Sequence, residues 1–134
     1  MTKQPTTAET ELLRAALDVQ QRAYAPYSNF NVGAAIRTAS GRIFQGANVE
    51  NASFGLTICA ERVAAGAAVA AGEREFTGVA VASRGGVSPC GACRQFLAEF
   101  APTVPIVMLD SDKPEVVHRA TLAELLPGRF EGPT

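Results

Sequence analysis

The run that decides the architecture is Val79-Ala80-Val81-Ala82, then Arg84-Gly85-Gly86-Val87-Ser88-Pro89, then Cys90 to Phe100, then Ile106-Val107-Met108-Leu109. Its two ends are short, wholly apolar segments of the kind that lie inside a sheet covered on both faces. Between them a Gly-rich turn and a proline lead into a segment that reads as a helix from Cys90, and Pro102 and Pro105 flank its exit. Strand, helix, strand in that order predicts a parallel pair joined by a right-handed crossover, hence an α/β fold.

Upstream, Thr6-Thr7-Ala8-Glu9 has the form of a capping box, and Leu12, Leu13, Ala16, Leu17, Ala23 and Tyr24 give a helical stripe that Pro26 ends. Tyr24 and Tyr27 are expected to pack around this exit. From Phe30 to Thr38 apolar and other residues alternate with the period of a strand; Ser40-Gly41 supplies a turn, and Arg42 to Ala47 reads as its hairpin partner. Asn48, Glu50 and Asn51 then follow as a polar cluster, which by itself reads as a solvated loop. Cys59 to Ala71 is Ala- and Val-rich with almost no charge after Arg62, so it predicts a helix buried nearly all round and closed by Gly72. Beyond the apolar run, Asp110 to Pro114 reads as a turn, Val116 to His118 as an edge strand and Thr121 to Leu125 as a short helix. Phe130 stands oddly close to a polar tail, and the chain shows no internal repeat or linker.

A chain of 134 residues, 47% hydrophobic, predicts a single globular domain over residues 1–134. With a net charge of −1 and its Lys and Arg scattered singly, it lacks the basic cluster that phosphate contacts require, which argues against a nucleic-acid partner. No apolar run approaches the ~20 residues of a bilayer span, so no membrane partner is expected. Met1-Thr2-Lys3-Gln4-Pro5 has no apolar core behind it to serve as a signal peptide, and the expected location is cytoplasmic.

The three cysteines are Cys59, Cys90 and Cys93, an odd number that does not suggest a disulfide framework. Both segments that carry them resemble first turns of helices, and together they suggest one zinc ion held by three thiolates. A catalytic zinc keeps three protein ligands and leaves its fourth position to water, whose proton it makes far easier to remove. Glu61, a carboxylate that is not a ligand, could shuttle that proton. Three thiolates leave the site with net charge −1, which the positive ends of two helices and the guanidinium of Arg62, hydrogen-bonded to the sulfurs, would offset. Two plainer readings compete. Free cysteines are often core fillers, and Cys-x-x-Cys alone also marks redox motifs, but a redox reading leaves Cys59 and Glu61 idle. His118, the only histidine, reads as a surface residue.

Taken together, Tyr24-Ala25-Pro26-Tyr27-Ser28, Val32-Gly33-Ala34-Ala35, Asn48-Val49-Glu50-Asn51-Ala52, Cys59-Ala60-Glu61-Arg62, Ser88-Pro89-Cys90-Gly91-Ala92-Cys93-Arg94-Gln95 and Leu125-Leu126-Pro127-Gly128 resemble the small, three-cysteine, homotetrameric type of cytidine deaminase over nearly the whole chain. The resemblance implies a three-layer α/β/α fold around a five-stranded mixed sheet, one Zn2+ per subunit, and hydrolysis of cytidine and deoxycytidine to uridine and deoxyuridine plus ammonia. In that chemistry hydroxide generated at the metal adds at C4 while Glu61 carries protons. The resemblance further implies that Asn48 and Glu50 bind the ribose hydroxyls, that Phe30 packs on the pyrimidine, and that the backbone N–H of Ala60 faces the base. Phe54 and Phe130 match aromatics that close a neighbouring subunit's pocket. Phe54 stands where tyrosine is usual, so the hydroxyl is missing, and family extensions past Phe130 are absent. The competing expectations are a deaminase of a modified nucleoside, a free base or a base in nucleic acid, and a zinc-stapled binding domain without turnover.

Overall fold

In the computed structural model residues 4–133 are described; Met1, Thr2 and Lys3, read above as lacking a signal-peptide core, and Thr134 of the polar tail lie outside the described residues. Helix α1, Thr7–Gln20, begins at the expected capping box. The Thr6 hydroxyl accepts from the Glu9 N–H at 3.1 Å, and the Glu9 carboxylate accepts from the Thr6 N–H at 2.9 Å. Strands β1, Val32–Thr38, and β2, Ile43–Ala47, form the expected antiparallel hairpin. Helix α2, Ala60–Ala70, strand β3, Phe76–Ser83, helix α3, Gly91–Ala98, and strand β4, Pro105–Asp110, follow, then strand β5, Val117–Thr121, and the short helix α4, Leu122–Leu125.

The sheet has five strands in the order β2-β1-β3-β4-β5. Only β3 and β4 run parallel; the other pairings are antiparallel, so the sheet is mixed. Alternation along the strands builds two apolar layers. Ala35, Ala80, Ala82, Val107 and Leu109 meet Leu12, Leu13 and Ala16 of α1 on one face. On the other, Ala34, Ile36, Val79, Val81, Ile106 and Met108 meet Ala60, Ala64, Ala65 and Ala68 of α2 and Leu97 of α3. The result is the three-layer α/β/α arrangement.

Two glycines set how closely the layers approach. A Cβ on Gly33 of β1 would stand 2.0 Å from the Ala16 carbonyl oxygen of α1, and one on Gly46 of β2 would stand 2.5 Å from the Ala60 carbonyl oxygen and 2.4 Å from the Ala64 nitrogen of α2. Helix backbone therefore rests directly on strand backbone on both faces of the hairpin, which no residue with a side chain allows.

Pairing of Gly33 with Ala47, Val32 with Ser83, and Ser83 with Asp110 brings the start of β1 and the carboxyl ends of β2, β3 and β4 to one edge of the sheet. The loops that leave this edge carry the cysteines. In open α/β sheets this is the edge that binds ligands.

Three expectations are corrected. The first helix stops at Gln20 rather than running to Tyr24, because Tyr24 pairs with the loop after β2: its N–H donates to the Asn48 carbonyl at 2.9 Å and its carbonyl accepts from the Glu50 N–H at 2.8 Å. Tertiary pairing wins over helical periodicity there. Tyr24 and Tyr27 are not buried around the exit turn; they are 56% and 49% exposed, and the Tyr27 ring meets the edge of another exposed ring, Phe54. Finally, α2 is not buried all round, since Gly66, Ala67 and Ala70 are exposed on the face turned away from the sheet. His118 sits exposed on β5, as expected of a surface residue.

Gly46→Ala should push the first turn of α2 away from the sheet and destabilise the fold by about 1–3 kcal/mol, as overpacking does. Thermal unfolding followed by circular dichroism should show a melting temperature lower by several degrees; an unchanged midpoint would mean that the helix is not seated on Gly46.

Candidate metal centre and cleft

Cys59 and Cys90 are the N-cap residues of α2 and α3, with extended backbone at ψ 153° and 168°. Their sulfurs are thus held at two helix N-termini, where orphan N–H groups and the helix dipole favour negative charge. Cys93, one turn into α3, is fully buried, and its N–H donates to the Cys90 sulfur at 3.5 Å. The three sulfurs lie within 4.8 Å of one another, and Cys59 and Cys90 are 3.9 Å apart. A tetrahedral zinc with Zn–S bonds of ~2.3 Å would space its sulfurs by about 3.8 Å, so the cluster fits that ion with little adjustment. Among the described residues no other group of His, Cys, Asp or Glu side chains is arranged to hold a metal.

The approach to Cys90 is fixed by its loop. Gly85 and Gly86 both take positive φ, at 87° and 63°. The Gly85 N–H donates to Asp110 Oδ1 at 3.1 Å, and the Val87 N–H donates to the Ser83 hydroxyl at 3.0 Å. Arg94 completes the brace: its guanidinium donates to the Pro89 carbonyl at 2.8 Å, the Ser88 hydroxyl at 3.0 Å and, across to α4, the Leu125 carbonyl at 2.7 Å.

Charge around the sulfurs is uneven. The Cys59 thiol is pulled down to about 5, first by its hydrogen bond with Cys93 and then by the Arg62 guanidinium and Cys90. Cys93 moves the opposite way, because it shares a proton with Cys59 and is buried. Arg62 Nη2 donates to Cys59 Sγ at 3.7 Å, and the guanidinium is held more firmly protonated by that thiolate. The buried Nε of Arg62 has no hydrogen-bond partner. Glu61, in the first turn of α2, is 4% exposed; burial first, and the neighbouring Cys59 charge second, raise its carboxyl to about 7. A carboxyl group near that value can both take and return a proton at neutral pH.

Next to the sulfurs opens a cleft of about 250 Å³ lined by Ser28, Phe30, Val32, Asn48, Glu50, Thr57, Cys59, Ala60, Glu61, Val81, Val87, Ser88 and Cys90. Its far wall is ordered by hydrogen bonds. Asn48 Oδ1 accepts from the Val32 N–H at 2.9 Å, and its Nδ2 donates to the Phe30 carbonyl at 2.8 Å, which fixes the amide orientation. Glu50 Oε1 accepts from the N–H groups of Tyr27, at 2.9 Å, and Ser28, at 3.2 Å, while Oε2 accepts from the Ser28 hydroxyl. Those contacts, the Ser28 hydroxyl foremost, hold the Glu50 carboxyl below the usual range and therefore ionised. Phe30 is flanked by the Arg84 guanidinium, 5.7 Å from its ring centre.

The cleft thus gathers seven of the residues singled out from sequence, Cys59, Cys90, Glu61 and Ala60 at one end and Phe30, Asn48 and Glu50 at the other, while the buried Cys93 completes the sulfur cluster beside it. Phe54 stands outside, 73% exposed and edge-on to Tyr27 at 5.6 Å, in an adjoining depression that shares Ser28, Glu50 and Thr57. Phe130, 71% exposed, does not reach the cleft of its own chain; its carbonyl accepts from Gln95 Nε2 at 3.0 Å, beside α3. Sequence reasoning missed Ser28 and Arg94 as organisers of the site. The available signal was their position inside the two motif runs, Tyr24 to Ser28 and Ser88 to Gln95.

A family model described as the cytidine and deoxycytidylate deaminase zinc-binding region matches residues 6–109. The chain belongs to this family. It is 44% identical to a cytidine deaminase of Halalkalibacterium halodurans over 89% of this chain and 91% of that protein. It is 47% identical to a probable cytidine deaminase of Dictyostelium discoideum, over 87% of this chain and 79% of that one. Among solved structures it superposes on a cytidine deaminase from Burkholderia pseudomallei with a TM-score of 0.86 and 44% identity, covering 94% of this chain and 100% of that chain. Family membership and the three-sulfur cluster together fit one zinc ion per subunit.

Arg62→Gln should lower zinc affinity by about 10- to 100-fold, the usual cost of losing a group that hydrogen-bonds a ligand. Competition with a chromophoric chelator measures it; an affinity equal to that of the unmodified chain would show that Arg62 does not support the sulfurs.

Proposed function

We propose that the protein hydrolyses cytidine and deoxycytidine to uridine and deoxyuridine with release of ammonia, as part of pyrimidine nucleoside salvage, with Cys59, Cys90 and Cys93 holding zinc and Glu61 carrying protons. The observation that carries this reading is one cleft with a buried carboxylate beside the three-sulfur cluster at one end and the ordered polar pair Asn48 and Glu50 at the other. Zinc, when bound, supplies the Lewis acidity that makes water acidic enough to act as a nucleophile near neutral pH.

The chain's own residues do the rest. Glu61 takes a proton from the attacking water and delivers it to ring N3, then transfers the second to the departing amino group, which leaves as ammonia; water and cytidine are consumed and uridine and ammonia formed. Its burial excludes competing water and keeps its basicity matched to both transfers. The N–H of Ala60, at the wall of the cleft, faces the base. Phe30 packs on the pyrimidine. Asn48 retains one amide proton and Glu50 Oε2 one acceptor position after their internal bonds are made, so a hydroxyl that accepts from the first and donates to the second satisfies both. A bare base would leave them unpaired, which favours nucleosides. A 5′-phosphate would be repelled by the ionised Glu50 carboxylate at the sugar end, which disfavours nucleotides. A binding domain with a purely structural zinc would want a fourth protein ligand, and none joins the cluster among the described residues.

The proposed assembly is a homotetramer in the cytoplasm. Phe54, Leu56, Ile58, Val49 and Phe130 are large apolar side chains exposed on the isolated chain, several around the cleft, and a second copy covering them would complete the pocket with its own aromatics. Free thiol ligands suit a reducing compartment. No helix among the described residues is long and apolar enough to cross a membrane.

Adding the zinc-loaded protein to cytidine should replace its ultraviolet spectrum with that of uridine, and prior removal of zinc with a chelator should abolish the change. Glu61→Gln should lose at least about 10²- to 10⁴-fold in turnover, the range of a placed proton carrier, with zinc content unchanged. Zinc-loaded protein that leaves cytidine intact would sink the proposal. Sedimentation equilibrium should give a mass about four times the 14.0 kDa of one chain; a monomer at micromolar concentration would remove the shared-pocket assembly.

A further inference from the structure

Ser28 bonds to both Glu50 and Phe30 on the far wall of the cleft and has so far been given no role of its own toward substrate. Its hydroxyl donates to Glu50 Oε2, accepts from the Phe30 N–H at 3.0 Å, and its own N–H donates to Glu50 Oε1 at 3.2 Å. Phe30 is held at its other end as well, because its carbonyl accepts from Asn48 Nδ2 at 2.8 Å. The segment between, with Asn29 at φ 57°, is a tight left-handed step that needs such fixing. The ring that packs on the base and the two groups that meet the sugar are therefore one hydrogen-bonded unit, and among the described residues Ser28 is the one that bonds directly to both Glu50 and Phe30.

We infer that Ser28 is a positioning and specificity residue: it fixes Glu50 as a pure acceptor with a single open position on Oε2 and couples recognition of the sugar hydroxyl to placement of the Phe30 ring. The chemistry requires this assignment of protons. With the serine hydroxyl donating to Oε2 and two backbone N–H groups filling Oε1, an ionised carboxylate retains room for one further donor, which selects a substrate hydroxyl and rejects an acceptor such as an ether or ketone oxygen at that point. Without the serine hydroxyl, Oε2 regains a second acceptor position that water fills, and Phe30 loses the anchor on its N–H. Sugar and base contacts should then become independent of each other.

This inference rests on the proposed nucleoside reading, and the experiment separates the two. Steady-state constants are measured for cytidine and 3′-deoxycytidine with the zinc-loaded protein and with Ser28→Ala, Ser28→Gly and Ser28→Thr. The unmodified protein should prefer cytidine in kcat/KM by about 10-fold or more, the range of a hydrogen bond to a charged group. In the alanine and glycine variants KM for cytidine should rise about 10-fold with kcat within about twofold, and the preference over 3′-deoxycytidine should shrink severalfold. Ser28→Thr, which keeps the hydroxyl, should retain the preference. General damage to the loop would lower kcat/KM for both substrates equally and leave their ratio alone. A ratio unchanged in both hydroxyl-free variants overturns the inference while the nucleoside reading stands; absence of cytidine turnover in the unmodified protein overturns that reading itself.

Discussion

The backbone of α2 lies on Gly46 with no side chain between them, and the placement of the reactive groups depends on that contact. The atoms that touch are the Ala60 carbonyl and the Ala64 nitrogen, the first turn of the helix. That turn carries Cys59 at its cap and Glu61 inside it. Any residue with a Cβ would lift the turn by more than the sulfurs can tolerate, since a metal site is held to a few tenths of an ångström. On the opposite face Gly33 seats α1 in the same way, so the hairpin is clamped from both sides.

From that seat the electrostatics follow. Cys59 and Cys90 cap two helices whose positive ends converge, and Arg62 brings a full charge to the first sulfur. The Cys59 thiolate is thereby stabilised before any ion arrives. Glu61 is two residues from a sulfur that is driven to ionise, yet its own carboxyl is pushed up, because it is buried while Cys59 remains partly open. Two acids two residues apart are thus tuned in opposite directions by burial and by partners. Such a separation suits the roles proposed for them, Cys59 in holding metal and Glu61 in moving protons.

Much of this was legible in the sequence. Thr6 to Glu9 announced the first cap, alternation from Phe30 to Thr38 announced β1 and the Ser40-Gly41 turn its partner β2, and the two apolar runs either side of Cys90 announced the parallel pair. The three cysteines and Glu61 stood out as a set because the residue types have few other uses together. What stayed hidden was set by long-range contacts. Tyr24 looked helical and became a bridge to Val49, because backbone groups of the 48–50 loop were waiting for partners. Asn48 and Glu50 read as a solvated loop until family resemblance marked them, since nothing local shows that Val32, Phe30 and Ser28 will bond to them. The exposed face of α2 was invisible because alanine serves a core and a subunit surface equally well.

Helix α3 joins the metal end of the cleft to the end of the chain. Its cap and first turn supply Cys90 and Cys93, and the next two residues, Arg94 and Gln95, reach outward. Arg94 grips the Pro89 and Leu125 carbonyls, and Gln95 grips that of Phe130. Because all three grips are on backbone carbonyls, the side chain of Phe130 remains free and projects 71% exposed from a segment that is itself held. An aromatic group left exposed on a tethered support loses little conformational freedom when another surface covers it, so its burial adds to association nearly in full. The same helix therefore fixes two sulfurs for its own cleft and holds the segment that presents the exposed Phe130 ring, so that in the proposed tetramer the geometry of the metal centre would be tied to that of the assembly.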